Sequence, residues 1–325
     1  MPYTPSSPHA SPLSFSTDIP PDLSGLVKPA AHAYAATGAF GSILLQHIAT
    51  RDFSIYWNHY NIKERVALDY SPERPSVQIR IMLKGHELLH TPGTGDTDIG
   101  ERQFYIMYLA DSAAAGTVTY DTEALSFTLD MPLKIPGDLK GSFPFLDEFL
   151  QQAALGVSHS LFCRPGWITI EIESLVFELL NSDLAVSLKN YYYEIIVREM
   201  MMMLLLQKQY TGKIPITEEE LNGIQKVRST IEASIDHVST TEQLAGIAGM
   251  QVDRLKLLFN EVTGIPVSAF ILFARLRYAK HLLQYTDMPV KEIALLSGYT
   301  SSGNFIRAFR KTFRYTPNLL RKKPM

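Results

Sequence analysis

The chain has 325 residues, 46% of them hydrophobic and 19% charged, with a formal net charge of −3, which is enough material for two or three domains with buried cores. The single cysteine, Cys163, excludes a disulfide framework and a cysteine-rich zinc site. No basic segment followed by an apolar one opens the chain, and the most apolar run, Met200 to Leu206, is too short to span a bilayer. A cytoplasmic protein with no membrane association is therefore expected.

The small net charge hides an asymmetry. From Asn222 to the end there are 15 Lys or Arg against 7 Asp or Glu, a formal +8; the first 221 residues carry 15 against 26, a formal −11. A basic end on an acidic chain points to a nucleic-acid partner for that end, with a chance surface imbalance as the plain alternative.

In chain order, residues 1–35 are rich in Pro, Ser and Ala and predict a flexible arm. Residues 36–135 predict a β-rich domain. Its strand-like runs are Phe53–Trp57, Val77–Leu83, Phe104–Leu109 and Leu125–Leu129, separated by turn residues such as Thr91-Pro92-Gly93-Thr94-Gly95-Asp96. Several short strands in series fit a sandwich or small barrel. Residues 140–210 turn helical, first at Phe145 and Phe149, then over Ile170–Leu180 and Leu184–Leu206. The last stretch is so apolar that it is buried, either within its own domain or against a second copy. Residues 211–221 contain Thr211-Gly212-Lys213-Ile214-Pro215 and predict a linker.

Residues 222–325 are the most informative. Ile224, Val227, Ile231 and Ile235 form one helical face. Ser239 and Glu242 fit a capping box for a helix that turns Leu244, Ile247 and Ala248 inward and ends at Gly249. A second helix, from about Val252 to Val262, buries Leu255, Leu258, Phe259 and Val262 and leaves Asp253, Lys256, Leu257 and Asn260 outside. A long helix over Val267–Gln284 follows, with Phe270, Ala274, Tyr278 and Leu282 as its buried stripe. The pattern then repeats. Pro289 opens a short helix with Val290, Ile293 and Ala294 inward, Gly298-Tyr299 turns, Thr300 or Ser301 caps, and Phe305, Phe309 and Phe313 anchor the last main helix. Gly249, Phe259 and Pro266 correspond to Gly298, Phe309 and Pro317. These are two helix-turn-helix units joined by one long helix, an arrangement that can enter successive major grooves about 34 Å apart.

The segment from about Val227 to Arg321 closely resembles the DNA-binding domain of AraC/XylS-type transcription regulators. The resemblance rests on Phe259, Thr263-Gly264, Pro266, Arg275, Ala279, Leu282-Leu283, Ile293-Ala294, Gly298-Tyr299, Phe305, Arg307, Phe309-Arg310-Lys311, Phe313, Thr316-Pro317 and Arg321 in order and spacing. It implies base-reading positions at Asp253, Lys256 and Leu257 in the first unit and at Ser302, Gly303, Asn304 and Arg307 in the second. Arg307 suits guanine O6 and N7, Asn304 suits adenine, and Lys256 suits work like that of Arg307. Ser301, Arg310 and Lys311 suit phosphates; Arg310 and Lys311 also fit a solvated helix end. Leu257 either touches a thymine methyl or packs inward, and Asp253 would accept from cytosine N4 while repelling phosphate. Arg314 stands where the family commonly has glycine, which is unfavourable for a left-handed cap.

The resemblance further implies that the N-terminal part is a cupin-like sensor. The expected fold is then α+β and multidomain: an N-terminal cupin-like β-sandwich or barrel followed by helices, then an all-α domain with two helix-turn-helix units joined by a long helix. It implies a bacterial transcription regulator that binds double-stranded DNA, answers to an unidentified small-molecule effector, and works as a homodimer through the helical region. Two alternatives stay open at this point: a sensor domain that retains metal or catalytic chemistry, and a regulator with no small ligand. His86 and His90 lie four apart in a region read as strand and loop, where they do not make a metal pair. Neither a phosphate-binding glycine loop nor a G-x-S-x-G elbow is present, so no enzyme activity, cofactor or metal is expected.

Overall fold

The computed structural model describes residues 3–4, 13–28, 31–70, 74–92, 95–110, 116–182, 186–210, 214–233, 240–313 and 315–321. The chain divides into two compact units, Met1–Ile168 with Val176–Met201, and Thr169–Leu175 with Met202–Met325.

The first unit opens with β1 (Tyr3–Thr4) and α1 (Pro21–Ser24). Nine longer strands follow: β2 (His32–Gly38), β3 (Gly41–Ala49), β4 (Ser54–Ile62), β5 (Val66–Tyr70), β6 (Ser76–Lys84), β7 (Glu87–Thr91), β8 (Gly95–Ile99), β9 (Gln103–Leu109) and β10 (Gly116–Tyr120). Then come β11 (Ala124–Met131), α2 (Lys134–Gly137), α3 (Pro144–Ala154), β12 (His159–Ser160), β13 (Gly166–Trp167), α4 (Ile170–Leu180) and α5 (Val186–Tyr210); α4 up to Leu175 and α5 from Met202 belong to the second unit. The strands make two antiparallel sheets. One runs β1-β5-β10-β7-β8; the other runs β12-β9-β6-β11-β4-β3-β2, with β13 also on β9.

Between the sheets lies a core that includes Ile43, Tyr60, Leu68, Met82, Leu89, Val118 and Tyr120. The opposite face of the larger sheet is also closed, by Ile55, Trp57, Ile79, Ile81, Phe127 and Leu129. Strands buried on both faces read as near-continuous apolar runs rather than alternation, which is why β3 (G-S-I-L-L-Q-H-I-A) carried no clear signal in the sequence. The expected arm over residues 1–35 requires correction. Ser16 and Ala35 exchange backbone hydrogen bonds of 2.8 Å, and Leu23 packs with Ala35 and Leu44. The region read as purely helical, 140–210, also supplies β12 and β13 to the larger sheet.

The second unit is built from α6 (Glu218–Ala233), α7 (Thr241–Ala248), α8 (Val252–Thr263), α9 (Val267–Tyr285), α10 (Val290–Leu296), α11 (Ser302–Phe313) and α12 (Pro317–Arg321). It has two cores. Ile224, Val227, Ile231, Leu244, Leu255, Leu258, Phe259 and Phe270 make the first. Leu276, Ala279, Leu283, Ile293, Phe305, Phe309 and Phe313 make the second, which Ile170 of α4 joins. Helix α9 serves both, so its buried side changes along its length. Phe270 and Ala274 face the first core and Leu276, Ala279 and Leu283 the second, while Tyr278 and Leu282 of the expected stripe are half-buried.

Other local expectations shift by small amounts. Helix α6 begins at Glu218, inside the expected linker. The cap of α7 is Thr240, one residue later than expected: its side chain accepts from the Gln243 N–H while the Gln243 side chain accepts from the Thr240 N–H. Ser239, Ile235 and Arg314 lie outside the described residues. Ile247 is 40% exposed rather than inward, and Pro289 is the N-cap of α10 rather than its first residue.

Candidate nucleic-acid interface

Each unit presents a second helix whose apolar side is sunk in a core and whose other side is free. The turn before that helix needs a left-handed residue, and glycine supplies it in both copies: Gly249 has φ 65° and Gly298 has φ 76°. In the second copy a Cβ would also lie 2.9 Å from the Arg275 guanidinium.

On α8, Asp253, Lys256 and Leu257 are all exposed. Lys256 Nζ lies 3.7 Å from Asp253 Oδ1, a loose surface pair. Leu257 is 48% exposed, so the inward-packing alternative does not hold. Glu242 of α7 adds negative charge beside Lys256; its carboxyl is held below the usual range by its own backbone N–H and the Thr240 hydroxyl, then by Lys256.

On α11, Ser301 precedes the helix and its hydroxyl accepts from the Asn304 N–H at 3.4 Å. Asn304 and Arg307 are exposed and joined, with Arg307 Nη2 donating to Asn304 Oδ1 at 2.5 Å. Ser302 is half-buried. Gly303 is exposed and offers no side chain, and a Cβ there would meet only the Ser301 hydroxyl, at 3.6 Å. Arg310 and Lys311 are exposed in the last turn. The structure thus brings Ser301, Asn304, Arg307, Arg310 and Lys311 to one helix with no acidic side chain on it. Lys256 and Leu257 share α8 with two carboxylates, Asp253 and Glu261.

Two contacts escaped the sequence reading. Arg254, on α8 itself, turns away from the free face to Glu220 of α6 (2.8 and 3.0 Å) and to the Pro215 carbonyl (3.2 Å). Its guanidinium holds the Glu220 carboxyl down, with the Thr217 N–H assisting. Gln207 donates from Nε2 to the Thr263 carbonyl at 2.9 Å, satisfying an end group of α8. The only sequence hint of the first was the Thr217-x-x-Glu220 spacing; the second had none.

The β-rich unit has its own polar features. Arg80 and Glu87 form a buried two-pronged ion pair (2.7 and 2.9 Å), and Tyr120 donates to Glu87 at 2.6 Å. On the same inner face, Asn58 Nδ2, Gln78 Oε1, Ser126 Oγ and Thr128 Oγ1 are buried with no hydrogen-bond partner. His86 and His90 sit instead beside Asp121 and Asp96, at 3.3 and 2.5 Å. No group of three or more His, Cys, Asp or Glu suited to a metal occurs among the described residues.

Residues 244–323 match the family model described as a helix-turn-helix domain. The chain is 34% identical over 94 residues to the right origin-binding protein of Escherichia coli (strain K12), which spans 29% of this chain and 32% of that protein. It is 30% identical over 102 residues to the transposon Tn10 TetD protein of Escherichia coli, covering 31% of this chain and 74% of that protein. A solved AraC-type DNA-binding-domain regulator from Chromobacterium violaceum aligns at 28% identity with a TM-score of 0.31, over 33% of this chain and 95% of that one. The match to the right origin-binding protein thus reaches only about a third of that protein's length. With its paired helix-turn-helix units, the chain belongs to the AraC/XylS-type regulator family through its C-terminal domain.

Proposed function

We propose that this protein is a sequence-specific transcription regulator that binds double-stranded DNA through α8 and α11, with α11 as the stronger reader. The observation that carries this reading is the free face of α11. Arg307 and Asn304 stand at the base-reading positions, and Ser301, Arg310 and Lys311 flank them as phosphate contacts. On α8, Lys256, Leu257 and Asp253 supply a weaker and more apolar reading surface.

The β-rich unit serves as the cupin-like sensor for a small-molecule effector. Support comes from the four unpartnered polar atoms on its inner face, since each buried polar group left unpaired costs about 1–3 kcal/mol unless something fills the gap. The effector acts by preferring one of two states of the protein. Homodimerisation uses α5, whose Leu188, Tyr191, Ile195, Met202 and Leu206 are exposed at spacings of three, four and seven. Among the described residues no single helix is long and apolar enough to cross a membrane.

The test is selection of bound sequences from a random duplex pool by the full-length protein at fixed salt. The expected result is enrichment of two short elements about one helical turn, ~34 Å, apart. Binding with a steep salt dependence and no enriched sequence would leave only a generic basic surface.

A further inference from the structure

Each reading helix stands on its own core, and the two cores are closed differently. The first draws its members from residues 214–274, with Ile224, Val227 and Ile231 of α6 laid along it. The second draws its members from residues 273–320 with one exception, Ile170 of α4. Ile170 is 1% exposed and shares that core with Leu276 and Leu283 of α9 and with Phe305, Phe309 and Phe313 of α11. Among the described residues no long helix follows α11 to close the second core as α6 closes the first; α12 has five residues.

The local sequence sets this contact. Thr169 caps α4: its hydroxyl accepts from the Ile172 N–H at 3.4 Å and its carbonyl from the Glu173 N–H at 3.0 Å. The helix therefore carries Ile170 in its first turn and Glu173 one turn later on the same side. Residues Thr169–Leu175 fall in the second unit, with α9 and α11. Glu173 adds charge to the apolar contact. Burial lowers the pKa of Lys280 on α9, and the Glu173 carboxylate opposes that shift. The Lys280 ammonium lies 5.1 Å from the centre of the Phe313 ring, within cation–π reach. Phe313 is 4% exposed in the last turn of α11.

Two links thus run from α4 to α11, one through the apolar core from Ile170 and one from Glu173 through Lys280 to Phe313. A close-packed core passes the loss of one side chain on to its neighbours. Arg307 lies between Phe305 and Phe309 in the chain, so a shift of these anchors carries its guanidinium with them. A two-bond contact to guanine tolerates little displacement. We propose that Ile170 and Glu173 are positioning residues for DNA reading: the first turns of α4 seat α11 and thereby set the base selectivity of the second helix-turn-helix. The effect on selectivity rests on α11 being the reader proposed above; the seating of the helix does not.

The test uses full-length protein. Amide hydrogen exchange read by mass spectrometry needs no DNA. Ile170→Ala should speed exchange in α11 and leave α8 at parent rates, and Ile224→Ala, an equal truncation in the first core, should do the reverse. Duplex selection at one salt concentration follows. Ile170→Ala should blunt the element that Arg307→Ala blunts, by about tenfold in discrimination at one base pair, and leave the other element sharp. Ile170→Val should match the parent. Glu173→Gln should blunt the same element less, and should add nothing in a Lys280→Met background. Unchanged exchange in α11, equal speeding of α8 and α11, or equal blunting of both elements by Ile170→Ala marks a merely structural residue and overturns the proposal. Faster exchange confined to α11, with no duplex enriched even by the parent, supports the seat and counts against the regulator.

Discussion

The two helix-turn-helix units share a scaffold and differ in what they offer to DNA. Both use a left-handed glycine, a buried phenylalanine pivot and a helix with one free side. On α11 that side holds Asn304 and Arg307 joined by a hydrogen bond, with Arg310 and Lys311 behind them. On α8 it holds Asp253, Lys256 and Leu257, and its one arginine is drawn off to Glu220 and Pro215. The repeat therefore preserves packing; in the reading proposed above, the first helix-turn-helix is anchored to α6 through Arg254 and to Gln207, and the second is left to read.

The largest expected effect tests the shared part. Phe259→Ala and Phe309→Ala each empty a fully buried aromatic site and should each cost about 3–5 kcal/mol in denaturant unfolding. A much smaller cost for one of them would break the equivalence of the two cores.

Acid sharpens the contrast with the β-rich unit. An unfolded histidine takes up a proton near 6.5, whereas folded His59 resists until about 4. Its contribution is complete above pH 6.5 and is lost as pH falls toward 4, by about 3 kcal/mol. Unfolding of full-length Trp167→Phe protein, in which Trp57 is the one indole, should show this slope in its emission, and His59→Gln should flatten it.

Arg307→Ala should cost about 1–3 kcal/mol of discrimination at one base pair. Leu257→Ala should cost less, because its exposed side chain can touch only an apolar group such as a thymine methyl. The smallest effect concerns the caps. Thr240→Ala removes the side-chain acceptor of the capping box, leaving the Gln243 N–H without it, and should cost about 1 kcal/mol. Ser301→Ala removes a longer, 3.4 Å contact and should cost less in thermal unfolding.

The C-terminal half of this account was legible in the sequence because its signals are local. Helical spacing of Phe305, Phe309 and Phe313, glycine at the turns and proline after the helices each act within a few residues. What stayed hidden depends on distant partners. The sharing of α9 between two cores displaced Tyr278 and Leu282 from the stripe. Ile247 read as core because an apolar side chain carries no mark of which neighbours reach it. The Gln207–Thr263 contact spans 56 residues. In the β-rich unit, burial on both faces erased the alternation of β3, while β5, β7, β8 and β10 alternate over only five residues each and β2 is mostly small residues, too weak a signal for any of them to be picked out. The polar residues inside that unit, Asn58 and Thr128 among them, look like surface residues until the second sheet covers them.

The most direct test of the division of labour is duplex selection by full-length Arg307→Ala and Leu257→Ala beside the parent protein at one salt concentration. Arg307→Ala should relax one base pair in one of the two elements and leave the other element sharp, while Leu257→Ala leaves both nearly unchanged. Equal relaxation of both elements by the two substitutions, or an unchanged profile for Arg307→Ala, would contradict it.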